Sequence, residues 1–143
     1  MTNFSFGNKS KKKLATCHPL LEEVAYTALA MSPYDFTIIH GFRGQAVQTA
    51  LFDSNASTLD WPDSKHNATG DNGEYCSEAI DFAPWIYSSI DWNDKLIFSF
   101  IAGVFHAAAA EHDVRLRWGG DWDMDGSSRD QKFMDIGHIE ILL

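Results

Sequence analysis

Hydrophobic and polar positions alternate along the chain in patterns that change from helical to extended several times. Between His18 and Met31 apolar residues recur every three or four positions, which predicts an amphipathic helix with Pro19 in its first turn. The short β-branched run Phe36–His40 predicts a buried strand. Residues 45–52 predict a second, shorter helix.

The second half of the chain continues this succession of elements. Residues 77–83 predict a strand, and a wide apolar stripe then predicts a third helix, capped by Asp91 and running to about His112. Alternating residues at 114–118 and 138–142 predict two more strands. The order of elements predicts an α+β fold, with helices packed on one face of a mostly antiparallel sheet.

Two polar segments interrupt these elements. The first, residues 1–13, predicts a loosely held lead-in, and the second, residues 53–75, is a long loop of a kind that compact domains seldom contain unless it is functional. With 143 residues, 45% of them hydrophobic, the chain can bury a core of its own. We therefore expect one domain over residues 1–143.

The charge balance excludes some classes of partner. A formal net charge of -9 argues against nucleic acid, and the basic run Lys9–Lys13 predicts a solvated segment. No apolar run approaches the roughly 18 residues of a membrane span, so membrane insertion is not expected. Cys17 and Cys76, without a secretory leader, predict free thiols and synthesis in the cytoplasm.

The chain has six histidines, and most of them have an ordinary structural explanation. His18 starts a predicted helix and His40 ends a predicted strand. His106 and His112 lie six positions apart on the third helix, so they do not share a face as a metal-binding pair would. We assign structural or surface roles to these four.

The remaining two histidines are better candidates for chemistry. His66 lies in the long polar loop and His138 begins the last strand, while Asp81 lies inside an apolar strand, where a carboxylate needs a partner. A His, Asp, His set leaves one position open for the water of a catalytic zinc ion. Asp71, in a flexible Gly-Asp-Asn-Gly stretch, is a weaker alternative for the carboxylate, and spacing alone leaves the site open.

Four motifs carry a resemblance to a known family. The chain resembles the zinc peptidases of the D-alanyl-D-alanine carboxypeptidase and L-alanyl-D-glutamate endopeptidase family, and most of all their short, single-domain phage endolysins. The resemblance runs in order from about His18 to Leu142. It rests on Gly41-Phe-Arg-Gly-Gln-Ala-Val-Gln48, on Ser64-Lys-His66 with Ala79-Ile-Asp81, on Trp118-Gly-Gly-Asp-Trp122 and on Asp135-Ile-Gly-His138.

The resemblance implies a zinc site with a neighbouring base. By it, His66, Asp81 and His138 hold Zn²⁺, and two imidazoles with one carboxylate leave the metal a positive charge that lowers the pKa of its water. Asp135 is then the general base, brought near the open position by one tight turn because it precedes His138 by three residues.

The resemblance also implies supporting residues, with one departure from the family pattern. Arg43 stabilises the developing oxyanion or holds a substrate carboxylate, and Gln48 supports the pocket. Family members commonly show His-x-x-Gly-x-Ala-x-Asp, whereas fifteen positions separate His66 from Asp81 here. We interpret residues 67–78 as a loop insertion that retains the Ala-x-Asp ending.

An acidic loop gives a second candidate metal site. Asp121, Asp123, Asp125 and Ser127 repeat the front half of a calcium-binding loop, with oxygen ligands at alternate positions. The twelfth position is Lys132, so the bidentate glutamate of a complete loop is missing. A solvated acidic turn is the alternative; if Ca²⁺ binds, it braces the loop and regulates activity.

The family resemblance implies a phage endolysin that hydrolyses a peptide bond in the stem peptides of bacterial peptidoglycan. We expect a monomer, made in the host cytoplasm, that reaches the cell wall after a separate protein makes a lesion in the membrane. One alternative is a D-alanyl-D-alanine carboxypeptidase. Another is a non-catalytic module that binds the cell wall or forms part of the virion.

Overall fold

The computed structural model describes residues 4–143 of the protein. In this part of the chain four α-helices and four β-strands follow one another, with a 3-10 turn at Lys65–Asn67. The elements are α1 (Asn8–Leu14), α2 (Pro19–Met31), β1 (Phe36–His40), α3 (Gln45–Asp53), β2 (Ala79–Pro84), α4 (Lys95–Glu111), β3 (Arg115–Gly119) and β4 (Asp135–Leu142).

The four strands form one sheet in the order β1-β2-β4-β3, and every neighbouring pair is antiparallel. The predicted α+β class is therefore confirmed. The last strand of the chain, β4, is central, because it pairs with β2 on one side and β3 on the other. This position puts the end of the chain in the middle of the fold.

One face of the sheet carries the core. Alternate residues of β2 and β4 are completely buried: Ile80, Phe82, Ile139 and Ile141. Phe82 packs against Phe98 and Phe105 of α4, with ring centroids 5.7 and 5.3 Å apart. Since side chains alternate along a strand, the intervening residues of β2 and β4 point to the opposite face.

The prediction of a loosely held lead-in is wrong for the described part of residues 1–13; residues 1–3 lie outside it. Asn8–Leu14 form α1, in which Leu14 is fully buried. The hydroxyl of Ser10 accepts a hydrogen bond from the Ile38 backbone N–H at 3.1 Å. The inward face of α1 consists of Ser10 and Leu14 only, and the four lysines of the helix hide its helical period.

Two predicted element boundaries also shift. The cap of α4 is Asp94, whose side chain accepts a hydrogen bond from the Ile97 N–H at 3.3 Å; Asp91 instead closes the turn before it, accepting from Asn93. Strand β4 starts at Asp135 rather than at His138, because the chain there pairs with Gly119 of β3. Within residues 4–143, no helix is both long and apolar enough to span a bilayer.

Candidate metal centre

The sheet register brings together two of the predicted ligands. Asp81 of β2 and His138 of β4 are paired residues of adjacent antiparallel strands, and both lie on the face opposite the hydrophobic core. The pairing of the two strands therefore holds the backbones of these two residues side by side. Asp81, the carboxylate that interrupts the apolar sequence of β2, lies on this polar face.

The third predicted ligand, His66, comes from the 3-10 turn. Ser64 caps this turn: its Oγ accepts from the His66 N–H at 3.2 Å, and the Asn67 side chain accepts from the Ser64 N–H at 3.0 Å. These two reciprocal hydrogen bonds form a capping box. The local sequence thus fixes the backbone that presents His66.

The segment between His66 and Asp81 folds back on itself. The Glu78 N–H donates to Lys65 O at 3.0 Å and the Cys76 N–H to Ala68 O at 3.1 Å, so the two ends of the segment lie side by side. The long sequence separation therefore does not separate the ligands in space. Asp71 is exposed near the tip of this excursion and lies outside the cluster, so the alternative carboxylate of the sequence analysis is excluded.

The three side chains converge on one point. Asp81 Oδ1 lies 3.3 Å from His66 Nε2 and 3.2 Å from His138 Nδ1, and one donor atom from each residue falls within 4.8 Å of the others. All three residues are buried. Two imidazole nitrogens and one carboxylate oxygen at these distances can hold a single metal ion.

The orientation of His66 fits a metal ligand. Its Nδ1–H donates to the carbonyl of Gly41 at 2.8 Å, which leaves the lone pair of Nε2 facing the cluster. Among the residues that the structure describes, this buried Nε2 has no hydrogen-bond partner. A metal ion would satisfy it. Burial lowers the pKa of His66, which favours the neutral form that a metal ligand needs.

Asp81 is held in its charged form. Its second oxygen, Oδ2, accepts hydrogen bonds from the Arg43 guanidinium and from His40 Nδ1, the latter at 3.0 Å. Burial alone would raise the pKa of Asp81, but the attraction of His66 and the hydrogen bonds from His138 and His40 hold it well below its usual range. His40, for which we expected a structural or surface role, therefore touches the cluster.

Glu140 is the functional candidate that the sequence analysis missed. Its side chain is buried, and Oε1 lies 2.9 Å from His138 Nε2. Burial opposes a charge on His138, but its hydrogen bonds to Asp81 and Glu140 outweigh burial and raise the pKa to about 9. The alternation of β4 could have revealed Glu140, since residues two apart on a strand share a face.

A cleft of about 640 Å³ opens over this polar face. Asp135 lines it together with His66 and His138, and burial and the negative charge of Asp81 raise the pKa of Asp135. A carboxyl group with a raised pKa next to the cluster is suited to accept and return a proton. Others in the lining are Arg43, Leu59, Lys65, Arg117, Trp122, Phe133 and Glu140.

Gln48 connects the cleft wall to Arg43. Its amide nitrogen donates to Leu59 O at 2.6 Å and to the Ser57 hydroxyl at 3.0 Å, while its oxygen accepts from Asn67 at 3.3 Å. Arg43 Nη1 lies 3.4 Å from the same oxygen. The fully buried Gln48 thus ties the loop after α3 to the arginine and to the turn that carries His66.

The other three histidines lie away from the cluster. His18 caps α2 by accepting from the Leu20 N–H at 3.1 Å, and His112 shares a hydrogen bond with the Thr27 hydroxyl at 2.8 Å. His106 is exposed on α4.

The acidic loop forms the turn that its sequence predicts. The carboxylates of Asp121, Asp123 and Asp125 each place an oxygen within 4.8 Å of the others. Asp121 accepts from the backbone N–H groups of Asp125 and Gly126 at 3.2 and 2.9 Å. Trp122, between the first two aspartates, has its ring centroid 5.2 Å from that of His138, so the loop is in contact with the candidate metal site.

Comparisons with known proteins show the family and the fold of the chain. A family model described as phage L-alanyl-D-glutamate peptidase matches residues 2–142. The L-alanyl-D-glutamate peptidase of Escherichia phage T5 is 40% identical over 98% of this chain and 99% of its own. The crystal structure of the Serratia marcescens L-Ala D-Glu endopeptidase ChiX has the same fold, with a TM-score of 0.76 over 98% of this chain and 92% of its own at 22% identity.

Proposed function

Because the chain belongs to the phage L-alanyl-D-glutamate peptidase family, we propose that it is an endolysin that cleaves the bond between L-alanine and D-glutamate in peptidoglycan stem peptides. The observation that carries this proposal is the convergence of His66, Asp81 and His138 at the floor of a cleft that also contains Asp135. Residues 1–143 act as one peptidase domain. As a phage enzyme it reaches the wall through a membrane lesion made by another protein.

We propose Zn²⁺ as the metal. His66 Nε2, Asp81 Oδ1 and His138 Nδ1 would hold it, since imidazole and carboxylate donors suit zinc and three protein ligands leave a position open. A zinc ion bound there supplies Lewis acidity, which polarises the scissile carbonyl and lowers the pKa of water.

Asp135 performs the proton transfers in this proposal. Its carboxylate accepts a proton from the attacking water and later gives a proton to the amine that leaves as the C–N bond breaks. Its place in the cleft beside His66 and His138 and its raised pKa support that assignment.

Arg43 supplies positive charge to the reacting carbonyl or to a carboxylate of the substrate. Its guanidinium lines the cleft, and its Nε has no hydrogen-bond partner within residues 4–143. The contact with Asp81 fixes one side of the guanidinium, and Gln48 approaches it from the other. A guanidinium held in this way is preorganised for an oxyanion.

Mass spectrometry of purified peptidoglycan after digestion tests the proposed bond. We expect new fragments that end in L-alanine and fragments that begin with D-glutamate. A model peptide with a blocked C-terminal carboxyl should be cleaved equally well, because an endopeptidase does not need the free end. Release of D-alanine alone would contradict the proposal and favour a carboxypeptidase.

We further propose that the acidic loop binds Ca²⁺ through Asp121, Asp123, Asp125 and Ser127. Four alternating oxygen ligands and a turn suit this ion. Trp122 joins the loop to His138, so an ion there would brace one wall of the cleft.

The double variant Asp123→Asn, Asp125→Asn tests the calcium site. We expect the wild type to lose activity when calcium is chelated in a zinc-buffered solution, and the variant to have low activity whether or not calcium is present. Equal activity of the wild type with and without calcium would remove the proposal while leaving the zinc site intact.

A further inference from the structure

Glu140 is a buried carboxylate whose two oxygens have different partners. Its side chain is 4% exposed, Oε2 accepts from Arg117 Nη2 at 2.6 Å, and Oε1 lies 2.9 Å from His138 Nε2. A buried carboxylate is unfavourable unless cations or hydrogen bonds compensate it. Both of its partners are therefore part of what keeps Glu140 in place.

The sheet fixes this arrangement. Arg117 and Glu140 are paired residues of β3 and β4, and His138 is two residues before Glu140 on the same face of β4. The Arg117 guanidinium also lies over the ring of Trp122, 5.8 Å from its centroid. Arg117 thus holds Oε2 of Glu140, and Oε1 faces the imidazole of His138.

We propose that Glu140 is a positioning residue that sets which nitrogen of His138 faces the metal. This inference rests on the proposed metal site. Both ring nitrogens of His138 face carboxylate oxygens, Nδ1 that of Asp81 at 3.2 Å and Nε2 that of Glu140 at 2.9 Å. A metal held between His138 and Asp81 would replace the proton on Nδ1, whereas Glu140, which can only accept, would keep the proton on Nε2. Gly41 O does the same for His66 through the opposite nitrogen.

The two histidines therefore use different nitrogens. His66 presents Nε2 because its Nδ1 is held by a backbone carbonyl, and His138 presents Nδ1 because its Nε2 is held by Glu140. A backbone carbonyl cannot be removed by substitution, but a glutamate can. This difference makes the Glu140 contact testable by itself.

Zinc affinity, measured by competition with a chromophoric chelator, tests the role of Glu140. Loss of such a supporting partner weakens metal binding by about 10- to 100-fold, and we expect this for Glu140→Ala. Glu140→Gln keeps an oxygen that can accept from Nε2–H, so its loss should be smaller. Glu23→Gln is the matched control, since it removes a glutamate facing His112, 3.6 Å away and outside the cleft; its affinity should equal that of the wild type.

A second measurement does not depend on whether a variant folds. Long-range ¹H–¹⁵N spectra of the zinc-loaded wild type should show His138 with its proton on Nε2 and with Nδ1 bound to the metal. Coordination through Nε2, or equal zinc affinity in folded Glu140→Ala and the wild type, would overturn the inference alone. A wild type that takes up no zinc would overturn the zinc assignment and this inference together.

Discussion

At the scale of single residues, each candidate ligand is oriented by a partner of a different chemical kind. A backbone carbonyl orients His66, a guanidinium and a second histidine orient Asp81, and a carboxylate orients His138. Each contact fixes the atom that does not face the cluster, so the donor atoms of the three ligands converge. This explains how three residues from separate segments of the chain form one site.

Substitution of the proposed base separates catalysis from metal binding. Asp135→Asn should lower the rate of peptide cleavage by about 100- to 10,000-fold, the usual contribution of a positioned acid or base. Zinc content, measured by atomic emission, and the unfolding temperature should stay close to those of the wild type, because Asp135 is not among the clustered donors.

Asp113→Asn is the control for that substitution. Asp113 follows α4 in an exposed turn with a φ of 54°, a conformation that asparagine adopts readily. The Asp113→Asn substitution should leave the cleavage rate unchanged. Wild-type turnover in Asp135→Asn would show that the base is another group.

The two thiols should differ in reactivity. Burial raises the pKa of the Cys17 thiol to about 12, so almost no thiolate is present near neutral pH. Partial burial and the charges of Glu74 and Glu78 also raise the pKa of Cys76, but this thiol is partly exposed and therefore accessible to reagents. With a disulfide reagent at pH 8 we expect fast modification of Cys76 and modification of Cys17 only after unfolding. Fast reaction of a Cys76→Ser variant would contradict this.

At the scale of helices and strands, hydrophobic periodicity predicted most of the fold. The runs 36–40 and 77–83 and the stripe of α4 are apolar enough to mark β1, β2 and α4 within a few residues. Helix α1 was missed because its inward face depends on Ser10, whose burial is compensated by hydrogen bonds to the next strand. The pattern of hydrophobic residues does not indicate a buried polar side chain of this kind.

The residues of the candidate site also differ in how far the sequence predicts them. Asp81 stands out because a carboxylate interrupts an apolar strand, whereas Glu140 shares a face with His138 by alternation but its pairing with Arg117 joins two strands. Pairing across strands depends on register, which the sequence does not give directly. The strand order β1-β2-β4-β3, which places Asp81 beside His138, is known only from the structure.

The junction of β3 and β4 should tolerate no side chain at Gly119. A Cβ there would lie 2.1 Å from the Asp135 carbonyl oxygen, so Gly119→Ala must push the two strands apart. We expect a loss of about 1–3 kcal/mol in the free energy of unfolding, measured in urea, together with lower activity.

Gly103→Ala is the matched substitution. Gly103 lies on the exposed side of α4, with nothing within 4 Å of the new Cβ, so alanine should raise stability by up to about 1 kcal/mol. A Gly119→Ala variant as stable as the wild type would show that the strands are not packed as described.

The excursion between His66 and Asp81 should be dispensable for the metal site. Thr69 and Tyr75 are bridged in an antiparallel pair, so Asn-Gly in place of residues 70–74 can close the hairpin with a two-residue turn. The shortened protein should bind zinc with unchanged stoichiometry, because the capping box and β2 hold the ligands. Loss of zinc would mean that the excursion itself shapes the site.

At the scale of the whole molecule, the two faces of the sheet have different roles. The core face of the sheet packs on α4, and the opposite face carries the candidate ligands, Glu140 and the floor of the cleft. The central strand β4 contributes to both faces through alternating residues. Stability and the candidate chemistry therefore depend on the same eight-residue strand.

The most direct test of the account is the cleavage rate of chelator-treated protein as zinc is added back in steps. We expect no cleavage without metal and a rate that rises linearly until one equivalent of Zn²⁺ per chain is bound. A His138→Ala variant should show no such recovery at these concentrations. Full cleavage by metal-free wild-type protein would contradict the central claim.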